Sequence, residues 1–193
     1  NALGYTLKET RHLYGTYSSG MNLYNLPSSM MTALTISVIP TVSASLARND
    51  RVHTSRVINS SLRVTGLMAF PMGLGLWALA EPIMKLCYPR YDSELGGSLL
   101  AVLGIASMFV CLMLISNSIL QSYGRVHVPV FTMLIGGVVK IIFNYNLTAV
   151  PSINIHAAPF GTLVCFVIVS SLNLFFVYRT MEDKPCLLYT SDA

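Results

Sequence analysis

The stretch Val128–Val150, VPVFTMLIGGVVKIIFNYNLTAV, decides the fold class. At ~1.5 Å per residue this run is long enough, as a helix, to cross the ~30 Å hydrocarbon core of a bilayer. Its single charge, Lys140, sits about ten residues from either end, which places the ammonium near the membrane midplane. A charge there costs at least ~2.5–3.5 kcal/mol, so it faces protein or water rather than lipid. Two readings follow. Lys140 belongs to a functional site, or it is structural and pairs with a helix-end carbonyl or a headgroup.

The rest of the chain agrees with a membrane assignment. Hydrophobic residues make up 53% and charged residues only 10%, with a mean hydropathy of +0.61. Soluble domains carry about 25% charged residues. The net charge of +4 comes from arginines in short loops, not from a basic face, so nucleic acid is excluded as a partner. Cys87, Cys111, Cys165 and Cys186 have no metal-site spacing and read as small core hydrophobes. The four histidines are scattered, and no dinucleotide, Walker-type or nucleophile-elbow motif occurs. No metal, cofactor or catalytic residue is expected.

Five apolar segments follow, at about 13–47, 62–80, 99–120, 128–150 and 158–178. An all-α, polytopic membrane protein with five spanning helices is the expected fold. The first segment has no charge between Arg11 and Arg48 and is longer than one span needs. Pro27 and Pro40 are expected to kink it, because proline removes a backbone donor and clashes with the preceding turn. Pro27 is expected either to break the helix or to act as a passive kink.

Lys and Arg orient the helices. Arg48, Arg51, Arg56 and Arg63 in a polar stretch 48–63, Arg125, and Arg179 with Lys184 fall on one side if the helices alternate. Lys8, Arg11, Lys85 and Arg90 fall on the other. The split of seven against four puts the first side in the cytoplasm and residues 1–12 in an external loop. The stretch 48–63 also reads as an amphipathic segment in contact with anionic lipid. An outside start with five spans implies that earlier helices are missing. The chain lacks an initial Met, and its last residues, Cys186–Ala193 (CLLYTSDA), resemble translated sequencing-adapter read-through. Residues 181–193 read as a tail, of which 186–193 is left out of the fold.

Two constellations carry chemistry. Ser18, Asn22, Asn25, Ser29 and Thr32 are spaced 4, 3, 4 and 3, on one face of the first helix. Such a stripe lines a water-filled path or makes interhelical hydrogen bonds. In the fourth helix, Gly136, Gly137, Lys140 and Asn144 share a face. There the glycines allow close approach of a helix or ligand, and the ammonium suits a phosphate or carboxylate.

LYGTYSSGMNLYNLPSSMMTALTISVIPTVSASLARND (Leu13–Asp50) resembles the second helix of the C-terminal lobe in stage V sporulation protein B and related polysaccharide exporters. RVINSSLRVTGLMAFPMGLGLWALAEPIMKLCY (Arg56–Tyr88), SNSILQSYGRVHVPVFTMLIGGVVKIIFNYNL (Ser116–Leu147) and INIHAAPFGTLVCFVIVSSLNLFF (Ile153–Phe176) continue the resemblance collinearly. That group lies in the superfamily of multidrug, oligosaccharidyl-lipid and polysaccharide exporters, which includes the lipid II flippase. The resemblance implies helices two to six of one lobe in a two-lobe fold, with the other lobe missing. It implies movement of a lipid-linked glycan across the bacterial cytoplasmic membrane by alternating access. Lys140 would then meet the anionic headgroup, with Asn22, Asn25 and Ser29 along the path. The family's arginine-lined cavity has no counterpart in the first helix. The competing expectations are a drug or cation antiporter, which favours an intramembrane acid that these segments lack, and a non-transporting scaffold for envelope assembly.

Overall fold

A lipid-embedded chain must satisfy its backbone groups internally, and runs without charge or turn residues do so as α-helices. The structure, a computed structural model, describes residues 7–89, 92–148 and 157–182. It contains six helices among them and no strand: α1 (Leu7–Ala47), α2 (Arg51–Ala78), α3 (Ala80–Cys87), α4 (Ser93–Ser122), α5 (His127–Thr148) and α6 (Ala157–Glu182). Four contain spans long and apolar enough to cross a membrane: Tyr14–Ala47, Ser93–Ser122, His127–Asn146 and Ala158–Met181. The pair α2–α3, bent by 73°, makes a fifth if it counts as one span. The protein is an all-helical, multi-pass membrane protein.

α4 is the hub. Its only charge is Glu94, and it is apolar all round, so it is surrounded by other helices. α1, α2, α3 and α6 pack on it, whereas α5 packs on α6 and hardly touches α4. Glycines set the closest approach. A Cβ at Gly104 would stand 2.9 Å from the Trp77 backbone nitrogen and 3.0 Å from the Gly73 carbonyl oxygen. One at Gly73 would stand 2.8 Å from the Gly104 carbonyl oxygen. α2 and α4 thus meet backbone to backbone.

Several boundaries differ from expectation. The stretch 48–63 is mostly helix, not loop. Only Arg48–Asp50 link α1 to α2: Asn49 takes a left-handed conformation (φ 59°), and the Asp50 carboxylate accepts the His53 N–H at 2.9 Å as an N-cap. Arg51 and Arg56 therefore stand on the first turns of α2, Arg48 in the link before it and Arg63 on its fourth turn. α3 lies in what read as loop, and α1 already begins at Leu7. Of the two readings of Pro27, the broken helix is absent, since α1 runs through both Pro27 and Pro40 as 41 helical residues. Pro27 is buried. Neighbouring helices tolerate such prolines in membranes. Residues 1–6, 90–91, 149–156 between α5 and α6, and 183–193, which include the tail 186–193, lie outside the described residues.

Val42, Ile58, Leu120, Val128 and Val177 form one buried cluster, drawn from the ends of α1, α4 and α6 and the beginnings of α2 and α5. The helices therefore alternate, and Arg48, Arg51, Arg56, Arg125 and Arg179 gather at one end, with Arg63 about 18 Å beyond Arg51 along α2. At that end, burial pushes the Tyr123 phenol above its ordinary value, so it stays neutral at physiological pH. A Val52→Cys variant is expected to label from the cytoplasmic side only. Labelling by an impermeant maleimide in intact cells would reverse the topology.

Candidate functional site

α1 presents two faces. Ser19, Tyr24, Met31, Thr35, Val38 and Val42 are buried, whereas Asn22, Asn25, Ser29 and Thr32 are exposed and Ser18 is half-buried. The stripe thus faces away from the described bundle. Two of its three hydroxyl protons are spent locally, Ser29 Oγ on the Asn25 carbonyl at 2.9 Å and Thr32 Oγ1 on the Ser28 carbonyl at 2.9 Å. Among the described residues Asn22 and Asn25 have no hydrogen-bond partner, so both amides are offered outward. Leaving an amide unpaired in hydrocarbon costs about 4–8 kcal/mol on a cyclohexane scale. Two such groups, one turn apart, require water or protein rather than lipid against this face.

The second constellation divides. Gly136 faces α6, where a Cβ would collide with Val169 and stand 3.0 Å from Cys165 Sγ. Asn144 presses its Oδ1 on Gly161, and that oxygen is buried with no hydrogen-bond partner. Lys140, between them, is half-buried and lies within electrostatic range of Cys165. No hydrogen bond or ion pair to it occurs among the described residues. Gly137 leaves this face: it has nothing within 4 Å of its Cβ position. It lines a groove of about 580 Å³ between α4 and α5 with Asn117, Met133, Leu134 and others. The face shared in sequence by four residues is therefore a seam of three, plus a groove residue.

The structure does not place Lys140 on the stripe. α6 stands between them: its Cys165 lies near both Tyr24, on the buried face of α1, and Lys140. Lys140 is 13 residues after His127 and 8 before Thr148, about 20 and 12 Å along the axis. It stands nearer the end opposite the arginines than the sequence run implied.

Sequence reading missed a buried polar relay. Thr132 Oγ1 donates to Asn173 Oδ1 at 2.7 Å, and Asn173 Nδ2 donates to Asn117 Oδ1 at 2.6 Å. It ties α5, α6 and α4 through Asn173, which is 0% exposed. The signal was an asparagine inside each of two apolar runs, but their pairing is tertiary.

With this geometry in hand, comparison with known proteins is informative. Residues 14–146 match the MatE family. The chain belongs to the MatE family. It is 25% identical over 172 residues to "Uncharacterized membrane protein YabM" of Bacillus subtilis (strain 168), covering 89% of this chain and 31% of that protein. It is 24% identical over 127 residues to "Lipid II flippase MurJ" of the same organism, covering 65% of this chain and 23% of that protein. The chain thus spans a third or less of these relatives. No solved structure matches it.

Proposed function

We propose that this chain is part of a flippase that carries a lipid-linked cell-wall or polysaccharide precursor across the cytoplasmic membrane by alternating access. The carrying observation is the α1 face, where Asn22 and Asn25 stand exposed and without hydrogen-bond partners on an uncharged spanning helix. Such a face suits one wall of a hydrated path that another lobe of the protein completes. Similarity to a protein named lipid II flippase supports the substrate class, as does the collinear resemblance to the sporulation-protein group.

In this reading the Asn22 and Asn25 amides hydrogen-bond sugar hydroxyls. The Ser29 and Thr32 oxygens accept, since their protons are already given to the helix. Lys140 attracts the anionic headgroup from the α5–α6 seam. Pro27, Pro40, Gly136 and Gly137 sit where the helices adjust as the path opens alternately. No bond is made or broken; differential binding shifts an inward–outward equilibrium. Drug or cation antiport is the weaker reading, because the interiors of the described spans hold no Asp or Glu to bind the coupling ion.

The test reconstitutes the full-length protein in liposomes. A fluorescent lipid-linked precursor is expected to become accessible across the bilayer, with no extrusion of a cationic dye under a proton or sodium gradient. A static precursor with dye extruded would overturn the assignment.

A further inference from the structure

α3 leaves α2 at 73° and divides into three sectors. At ~100° per residue, Ala80 and Met84 fall on one side and are buried. Glu81 and Lys85 fall on a second, exposed side. Leu86 falls on a third and is 83% exposed, and Leu79, 54% exposed, stands at the bend just before α3. The leucine sector lies roughly 100–160° from the charged one and from the packed one.

The depth of α3 is set by α4. A Cβ at Gly97 would lie 2.8 Å from Glu81 Cα, and Met84 packs into the notch at Gly96. Ala80 and Met84 share a buried cluster with Leu100. α3 thus crosses α4 at residues 96–100, just past Glu94, the last charge before the apolar run begins. The exposed face of α2 leads to the same level through Val64, Leu67, Phe70, Leu74 and Trp77.

We propose that α3 lies flat in the membrane interface at the end opposite the arginines. Leu79 and Leu86 dip into the acyl boundary, and Glu81 and Lys85 meet water and headgroups. The occupant of its free surface is the lipid interface. A re-entrant α3 would bury two charges in hydrocarbon, and an α3 lifted into water would leave both leucines solvated. Only the boundary matches all three sectors, and an aromatic at its edge fits Trp77. α2 and α3 then make one span that ends in an interfacial foot.

Trp77 is the single tryptophan of this sequence, so the full-length protein, with any tryptophan outside it replaced, reports the depth of Trp77 in phosphatidylcholine vesicles. Lipids brominated near the carbonyls are expected to quench it several-fold more than lipids brominated near the chain ends. A second measurement puts nitroxides at Lys85→Cys or Leu86→Cys, with the native cysteines replaced. The Leu86 label is expected to favour oxygen over a water-soluble nickel complex, and the Lys85 label the reverse. Deepest quenching by chain-end bromines, or both labels favouring oxygen, would make α3 re-entrant and overturn the proposal. No bromine quenching, or both labels favouring nickel, would place α3 outside the membrane and overturn it equally.

Discussion

Lys140→Ala is expected to cut translocation of a lipid-linked precursor by the intact transporter roughly 10- to 150-fold, the loss of one charge-assisted contact of about 1.5–3 kcal/mol. Membrane abundance should stay near wild type. The reason is the missing partner: Lys140 is half-buried in the α5–α6 seam, and among the described residues nothing hydrogen-bonds or ion-pairs with it. A purely structural lysine at that depth would be expected to hold a carboxylate or a carbonyl. Lys140→Arg should keep partial activity, because charge persists while geometry changes. A translocation assay read beside membrane abundance separates the roles. If both variants instead lower the amount of folded protein, Lys140 supports the seam and not the substrate. Full activity of the Ala variant at normal abundance would remove it from the mechanism.

The second large effect is on stability. Gly104→Val is expected to abolish the folded state or cost at least the ~1–3 kcal/mol typical of overpacking. The added carbons would meet the Trp77 nitrogen and the Gly73 carbonyl, which are backbone and cannot swing away. Gly75→Val is the control, with nothing within 4 Å of its Cβ position. Thermal unfolding in detergent, read as loss of monodisperse protein, should show a much larger fall for position 104. Equal melting of the two variants would mean that the α2–α4 contact is looser than the structure shows. Asn173→Leu is expected to do less, since hydrogen bonds between membrane helices average ~0.6 kcal/mol each, even though two are lost.

Much of the architecture was readable because lipid imposes one rule on the backbone. The long apolar runs of α1, α4, α5 and α6 could only be helices, and their order with the arginine positions implied alternation. What escaped were segments whose composition looks like loop. α3 carries Glu81, Pro82 and Lys85 within eight residues, and only its bend and its packing on Gly96 and Gly97 make it a helix with a purpose. The first turns of α2 were hidden by their arginines, although Asn49–Asp50 already held the turn and the cap. Helical spacing put the α1 stripe on one face correctly. Spacing could not show which face the bundle leaves open, because that depends on where α4 and α2 dock. The same limit separated Gly137 from Gly136: adjacent residues point about 100° apart, and only the position of α6 decides which one enters the seam. Thr132, Asn173 and Asn117 stand on three helices, and nothing local pairs them.

The central claim is that the polar face of α1 lines a hydrated path, and thiol accessibility tests it most directly. Single cysteines at Asn22, Asn25, Ser29 and Thr32 are placed in the full-length, cysteine-free transporter in native membranes. All four are expected to react with a small water-soluble methanethiosulfonate, and a lipid-linked precursor should slow the reaction. Met31→Cys, on the buried face of the same helix, should stay silent. Silence at all four stripe positions, with the protein present and folded, would contradict the account.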